Sequence, residues 1–233
     1  MCVLKLQNVS TNIGGTTLLD DISFTMDASS VTALVGHNGA GKSTLIKTIM
    51  GVLEKSEGTI TVNGTYRQDE SFLTYKQQLS YLPEEPLLMT ELTAMQHFQL
   101  YGMSYALDEQ VLQERIRRYA AGFELEDKLD DYPEQLSKGM RQKVQTICAL
   151  LPDTPLLLID EPFMGLDIYA MEYLEELIRE KVSEGTGILL TTHQLERVRG
   201  IAGHYIMLQH GKIEKQGSAA DFLTIKRRTD DDE

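Results

Sequence analysis

Two stretches of the chain are apolar almost without interruption, Val31 to Val35 and Leu156 to Ile159. Short runs of this kind, bounded by turn residues, mark strands buried on both faces of a parallel sheet. The first runs directly into Gly36, and the second ends at Asp160-Glu161. Met1-Cys2-Val3-Leu4-Lys5-Leu6 instead alternates, as a half-buried strand does. Residues 1–30 read as short strands joined by a turn at Gly14-Gly15 and ending in Asp27-Ala28-Ser29-Ser30. Further strands are predicted over Ile60–Val62, before the tight turn Asn63-Gly64, and over Leu79–Leu82, closed by Pro83 and Pro86. Ile188–Thr192 reads as another, and Tyr205–Leu208 with Lys212–Glu214 as a hairpin about His210-Gly211. Helical spacing governs the rest: Leu45, Ile49 and Val52 ahead of and beyond Gly51; Val111, Leu112, Arg115, Ile116 and Tyr119; and Met171, Leu174, Leu177 and Ile178. Strand patterns vanish from about Thr90 to Leu151 and return after Pro152 and Pro155. The chain is therefore expected to be an α/β domain over 1–224, with its core at 1–84 and 152–224. A helical insertion occupies about 85–151 and a charged tail 225–233.

Composition narrows what such a domain can do. Of 233 residues, 22 are basic and 35 acidic, giving a formal charge of −13. A surface so acidic offers no general attraction for nucleic acid or anionic lipid, so contact with a membrane has to come through a specific partner. No run of apolar residues is long enough to cross a bilayer. The first residues lack the layout of a secretion signal, and a cytoplasmic protein is expected. Cys2 and Cys148 form neither a disulfide framework nor a metal spacing. Cys148 falls on the apolar spacing Val144, Ile147, Cys148, Leu151, which predicts a buried helix face.

Chemistry enters at Gly36-His37-Asn38-Gly39-Ala40-Gly41-Lys42-Ser43-Thr44, which fits the pattern G-x4-G-K-S between a strand and a helix. The glycines let backbone N–H groups and the helix N-terminus wrap a phosphate chain. Lys42 supplies a full positive charge to the β and γ phosphates, and Ser43 a hydroxyl to Mg²⁺. Asp160 ends a buried strand, where a carboxylate can hold that ion. Glu161, next in sequence, can take the proton of an attacking water. Alone, the acid pair could equally be a helix cap.

Further on, the residues resemble a known family. Leu136-Ser137-Lys138-Gly139-Met140 is similar to the ABC signature, usually Leu-Ser-Gly-Gly-Gln, and lies about twenty residues before Asp160. Met164-Gly165-Leu166-Asp167 resembles the D-loop and Thr191-Thr192-His193 the switch histidine. Five motifs, from Ile13 to His193, follow the order of an ABC transporter ATPase. The resemblance implies a P-loop NTPase fold, with a RecA-like core, an N-terminal antiparallel β part and an inserted helical subdomain. It also implies ATP and Mg²⁺ as cofactors, a second copy of the chain closing head to tail around two ATP molecules, and a multi-span permease as partner, with no nucleic acid. The chain would then sit peripherally on the cytoplasmic face of the cell membrane. Carried over, Leu136–Met140 of one copy would face the γ phosphate bound by the other; Ser137 is a good N-cap for the helix pointing there. Glu161 would polarise the water and His193 would touch the γ phosphate. His37 belongs to the phosphate loop, its ring being read with those of His97, His204 and His210 as solvent or packing.

Three departures from the family pattern carry expectations of their own. Ile13 stands where an aromatic stacks on adenine, leaving only apolar contact. Glu84 replaces the Q-loop glutamine and becomes a third metal-ligand candidate beside Ser43 and Asp160; it could instead face the permease. Lys138 could reach the γ phosphate across the dimer or point to water. Pro83-Glu84-Glu85-Pro86, Ser137-Lys138-Gly139-Met140 and Ile159–Asp167 resemble the Ecs-type ATPases of Gram-positive bacteria, a branch associated with export of small hydrophobic peptides. The segment Glu84–Tyr101, with Leu87, Leu88, Met89, Leu92, Met95 and Phe98, reads equally as the permease surface or as the core of the helical insertion. A soluble ABC ATPase of DNA or ribosomes, a P-loop kinase and an importer ATPase are the rivals. The charge, the single ATPase half and the signature residues speak against the first two.

Overall fold

Strands β1 (Cys2–Ile13) and β2 (Thr16–Asp27) pair antiparallel across the Gly14-Gly15 turn. Each runs for 12 residues, longer than the short strands expected, because Asn8 and Asp21 interrupt the alternation without ending it. Both sit at positive φ, +50° and +54°. The Asn8 amide donates to the Asp21 carboxylate at 2.8 Å, which stabilises paired irregularities in the two strands. The computed structural model describes residues 1–192 and 200–224. His193 and the charged tail at 225–233 lie outside the described residues.

β3 (Val31–Val35) is buried at every position and leads into α1 (Lys42–Ile49). The helix stops there because Gly51 turns left-handed at φ +69°, so Val52, expected on its apolar stripe, lies beyond it and is 61 % exposed. β4 (Glu57–Val62) pairs with β1, and the short β5 (Tyr66–Arg67) completes a sheet of order β2-β1-β4-β5. A brief helix, α2 (Phe72–Lys76), precedes β6 (Leu79–Leu82). The chain is then helical through α3 (Ala94–Ser104), α4 (Glu109–Gly122) and α5 (Lys138–Leu150). β7 (Leu156–Asp160), α6 (Ile168–Ser183), β8 (Gly187–Thr191) and the hairpin β9 (His204–Gln209) and β10 (Lys212–Ser218) follow.

The second sheet has the order β10-β9-β3-β8-β7-β6, and all its neighbours pair parallel except β9 with β10. Its two faces fill two cores. Leu34, Leu158 and Leu189 pack with α1 and the antiparallel sheet through Leu45, Ile46, Leu4 and Leu6. Leu157, Ile159 and Leu190 pack with the helices through Phe98, Ile147, Cys148 and Leu174. Burial pushes the Cys148 thiol well up, so the buried-face expectation stands. Because β3, β6, β7 and β8 run the same way, Val35, Leu82, Asp160 and Thr191 end on one edge of the sheet, where open α/β folds place their sites.

The helices are joined to the core by charge as well as by packing. In α4, Arg118 forks onto Glu180 of α6, one of its two bonds measuring 2.6 Å, and Arg115 meets Asp153 at 2.7 Å. Lys181 of α6 reaches the same Asp153 at 3.2 Å. The Glu84–Tyr101 segment divides residue by residue. Phe98 is fully buried and Leu88, Met95 and Tyr101 pack against the core, whereas Leu87 and Met89 are 71 % and 54 % exposed.

Candidate functional site

At the end of β3 the backbone folds back on itself. Gly39 and Gly41 take φ of +82° and +110°, and a side chain on Gly36 would meet the Leu208 carbonyl oxygen at 2.5 Å. Only glycine fits such a turn. Gly41 begins α1 with no side-chain cap, so the first-turn N–H groups are offered to an anion. Lys42 arches over the loop, its ammonium donating to the carbonyls of Gly36 at 2.8 Å and His37 at 3.3 Å. Asn38, Gly39, Gly41, Lys42, Ser43 and Thr44 line one wall of a 590 Å³ cleft. Gly36, His37 and Ala40 build the loop without lining it. The His37 ring binds the Asn38 carbonyl at 2.8 Å and meets His210 edge-on at 5.5 Å.

Glu84, Asp160 and Glu161 line the same cleft. Asp160 is 5 % exposed and accepts a hydrogen bond from the Thr191 hydroxyl at 2.5 Å. Glu161 sits at φ +46°, a conformation that few residues other than glycine, asparagine or aspartate adopt, and its N–H donates to the Thr191 hydroxyl at 3.0 Å and carbonyl at 3.2 Å. Burial, and then the charges of Asp160 and Glu84, push the Tyr81 phenol up, so both acids act on one ring beside the cleft. Among the described residues no three His, Cys, Asp or Glu side chains form a ready metal cage. One hydroxyl and one or two carboxylates facing a phosphate loop fit Mg²⁺, which prefers to keep phosphate and water ligands.

The signature residues lie elsewhere. Ser137 caps α5, its hydroxyl accepting from the Met140 N–H at 3.2 Å, and Leu136 is buried beneath it. The Lys138 ammonium pairs with Glu85 of the same chain at 2.8 Å, both side chains being mostly exposed. Gly139 abuts the D-loop, since a Cβ there would stand 2.9 Å from the Gly165 carbonyl. Asp167 caps α6 through the Ala170 N–H at 2.9 Å and pairs with Lys143 of α5 at 2.8 Å. The Lys143 hydrogen bond, aided by that of Ala170, holds the Asp167 carboxyl below the usual carboxylate range. None of Leu136–Met140 or Asp167 lines the cleft of its own chain.

Ile13 is 48 % exposed at the end of β1 and does not line the cleft either. Its apolar wall is Leu18 and Met164, and no aromatic ring contributes among the described residues. Four residues that shape the site were not assigned these roles from the sequence, although Met164 and Thr191 fell inside motifs that resemble the family's. Leu18 and Met164 look like ordinary strand and loop residues. Lys143 sits at helical spacing within α5, and Thr191 faces Asp160 only because of the strand register.

Comparison with known proteins shows the family. The family described as ABC transporter matches residues 19–164. The ABC-type transporter ATP-binding protein EcsA of Bacillus subtilis (strain 168) is 35 % identical over 223 residues, 95 % of this chain and 90 % of EcsA. This matches the Ecs-type resemblance. The SkfA peptide export ATP-binding protein SkfE of the same organism is 30 % identical over 213 residues, covering 91 % and 88 %. A solved ATP-binding subunit of an ABC transporter superposes with a TM-score of 0.90 at 39 % identity, covering 94 % of this chain and 91 % of that one. Among the described residues no helix is long and apolar enough to cross a membrane. The chain belongs to the ABC transporter family, as its ATP-binding and ATP-hydrolysing subunit.

Proposed function

We propose that this subunit powers a separate multi-span permease from the cytoplasmic face of the membrane, closing with a second copy of itself around two ATP molecules, for export of small hydrophobic peptides. One observation carries the two-copy part: the capped N-terminus of α5 and its signature residues stand outside their own phosphate cleft. A helix N-terminus with nothing to bind in its own chain is suited to an anion held by another. The peptide cargo draws its support from likeness to SkfE, whose name states peptide export.

In the closed pair, the loop Gly36–Thr44 would hold the phosphates and Lys42 would leave its carbonyl partners for them. Ile13 would give the base apolar contact. Glu161 would take a proton from the attacking water, and His193 would contact the γ phosphate. Ser43, Asp160 and Glu84 would hold Mg²⁺. That ion, when bound, neutralises charge on the phosphoryl oxygens. Support for Glu84 comes from its place among the residues that line the cleft, together with Ser43 and Asp160. Glu84→Gln is expected to raise the half-saturating Mg²⁺ concentration for hydrolysis about tenfold. An unmoved value, with transport lost, assigns Glu84 to the permease instead.

The permease would dock over a second, 530 Å³ groove between α2 and α3, where Leu73 and Leu87 are 80 % and 71 % exposed. The double variant Leu73→Asp, Leu87→Asp should hydrolyse ATP as the isolated wild-type chain does and fail to sediment with membranes containing the permease. Unchanged sedimentation would rule out that groove.

A further inference from the structure

Thr191 is fully buried at the end of β8, with its Cα directly opposite that of Asp160 on β7 and that of Leu34 on β3. Its hydroxyl has one proton. Asp160, as a carboxylate, can only accept, so the 2.5 Å bond fixes the direction of that proton towards Asp160 Oδ1. The hydroxyl's lone pairs are then left for the Glu161 N–H, which lies 3.0 Å away. A one-way chain results, from Glu161 N–H to Thr191 hydroxyl to Asp160 carboxylate. It joins the two acids at the end of one strand through a side chain on the next.

Both ends of that chain need holding. Asp160 is 5 % exposed, and a buried carboxylate oxygen without a donor would be costly. With Oδ1 occupied by Thr191, the rotation of the carboxyl group is set and Oδ2 remains for a further ligand. At the other end, Glu161 holds a left-handed backbone, φ +46°, which places its Cβ differently from an extended continuation of β7. Such a conformation persists where the surroundings over-determine it. The Thr191 hydroxyl and carbonyl, both accepting from one N–H, do so here.

We infer that Thr191 is a positioning residue for the ATPase reaction, setting through one hydroxyl both the orientation of Asp160 towards the metal and the backbone turn that presents Glu161. Thr191 does not itself line the cleft. The inference rests on Asp160 acting as the metal's carboxylate, as proposed above. Residues that orient a metal ligand from behind typically cost about 10–100-fold in metal affinity or activity when lost.

The test compares the affinity of purified chain for a non-hydrolysable ATP analogue with Mg²⁺ and with a chelator in its place. In the wild type, Mg²⁺ should tighten binding. Thr191→Val keeps the shape and removes the hydroxyl. It should weaken binding about tenfold with Mg²⁺ and leave the metal-free affinity, carried by the phosphate loop, unchanged. Thr191→Ser, which restores the hydroxyl, should return the Mg²⁺-dependent affinity. Equal weakening with and without Mg²⁺ would mean a merely structural role and overturn the inference, as would wild-type behaviour of Thr191→Val. If Thr191→Val fails to fold, Thr191→Ala makes the same comparison, and a Thr191→Ser variant that behaves like Thr191→Ala overturns the inference. If Mg²⁺ does not tighten binding even in the wild type, the metal assignment of Asp160 falls, and this inference with it.

Discussion

Glu161→Gln is expected to bind ATP as the wild type does and to hydrolyse it at least about a hundredfold more slowly. The substitution keeps the side chain's size and the backbone turn at φ +46°, whose two hydrogen bonds to Thr191 involve only the N–H. The phosphate-loop residues that line the same cleft are unchanged. What the amide lacks is a basic oxygen able to take a proton from water. With binding intact and turnover blocked, the closed pair should accumulate, so gel filtration with ATP and Mg²⁺ should show a species of twice the mass. Substantial residual turnover would remove Glu161 from the role of base.

Asp153→Asn should destabilise the fold by about 2 kcal/mol. Asp153 receives Arg115 at 2.7 Å and Lys181 at 3.2 Å, and the Lys181 side chain is only 6 % exposed. Removing one member of a fully buried ion pair costs about 3–5 kcal/mol. Asp153 itself is 57 % exposed, so solvent screening reduces the figure. In a chain of this size the loss should lower the melting temperature by about 4–8 °C. Burial pushes the Asp153 carboxyl up, but hydrogen bonding to Arg115 and the charges of Lys181 and Arg115 outweigh it and hold it below the usual carboxylate range. Because the folded value lies below the unfolded one, the stabilisation is whole above about pH 3.9 and is lost as the pH falls through the folded value. The difference between wild type and variant should therefore shrink in acid. A constant difference from pH 7 to pH 3 would mean that packing, not charge, is responsible.

The parts of the site closest to backbone chemistry were legible in the sequence. A phosphate loop needs glycines at fixed offsets, and a doubly covered strand needs an unbroken apolar run, so Gly36–Ser43 and Leu156–Asp160 declared both fold and site. Ser137 was readable because caps have a restricted chemistry, and it proved to be an N-cap; Asp167, named only through the D-loop resemblance, caps α6 as well. Contacts set by strand register or by packing between distant elements were not legible. Nothing local tells Thr191 that Asp160 lies opposite, Lys138 that Glu85 lies within 2.8 Å, or Lys143 that it will meet the D-loop. Ile13, a position inferred from family order, is not among the residues that line the cleft. Periodicity also misled at Val52, where apolar spacing continued past a glycine that had already ended the helix.

The helical segment leaves the sheet at the end of β6 and returns at the start of β7, and these two parallel strands are neighbours with Leu79 opposite Leu156. Its exit is thus on the cleft edge of the sheet and its return on the far edge. At the far edge, Arg115, Asp153 and Lys181 bind it to the core. Nearer the cleft edge, Lys143 of α5 meets Asp167 at the start of α6 at 2.8 Å, while the exposed pair Lys138–Glu85 only joins one part of the segment to another. A body attached in this way is pinned to the core at two separated points. The Asp153 knot holds one end of it and the Lys143–Asp167 pair the other, so the place of Ser137 and Gly139 beside the D-loop is set from both ends of the segment.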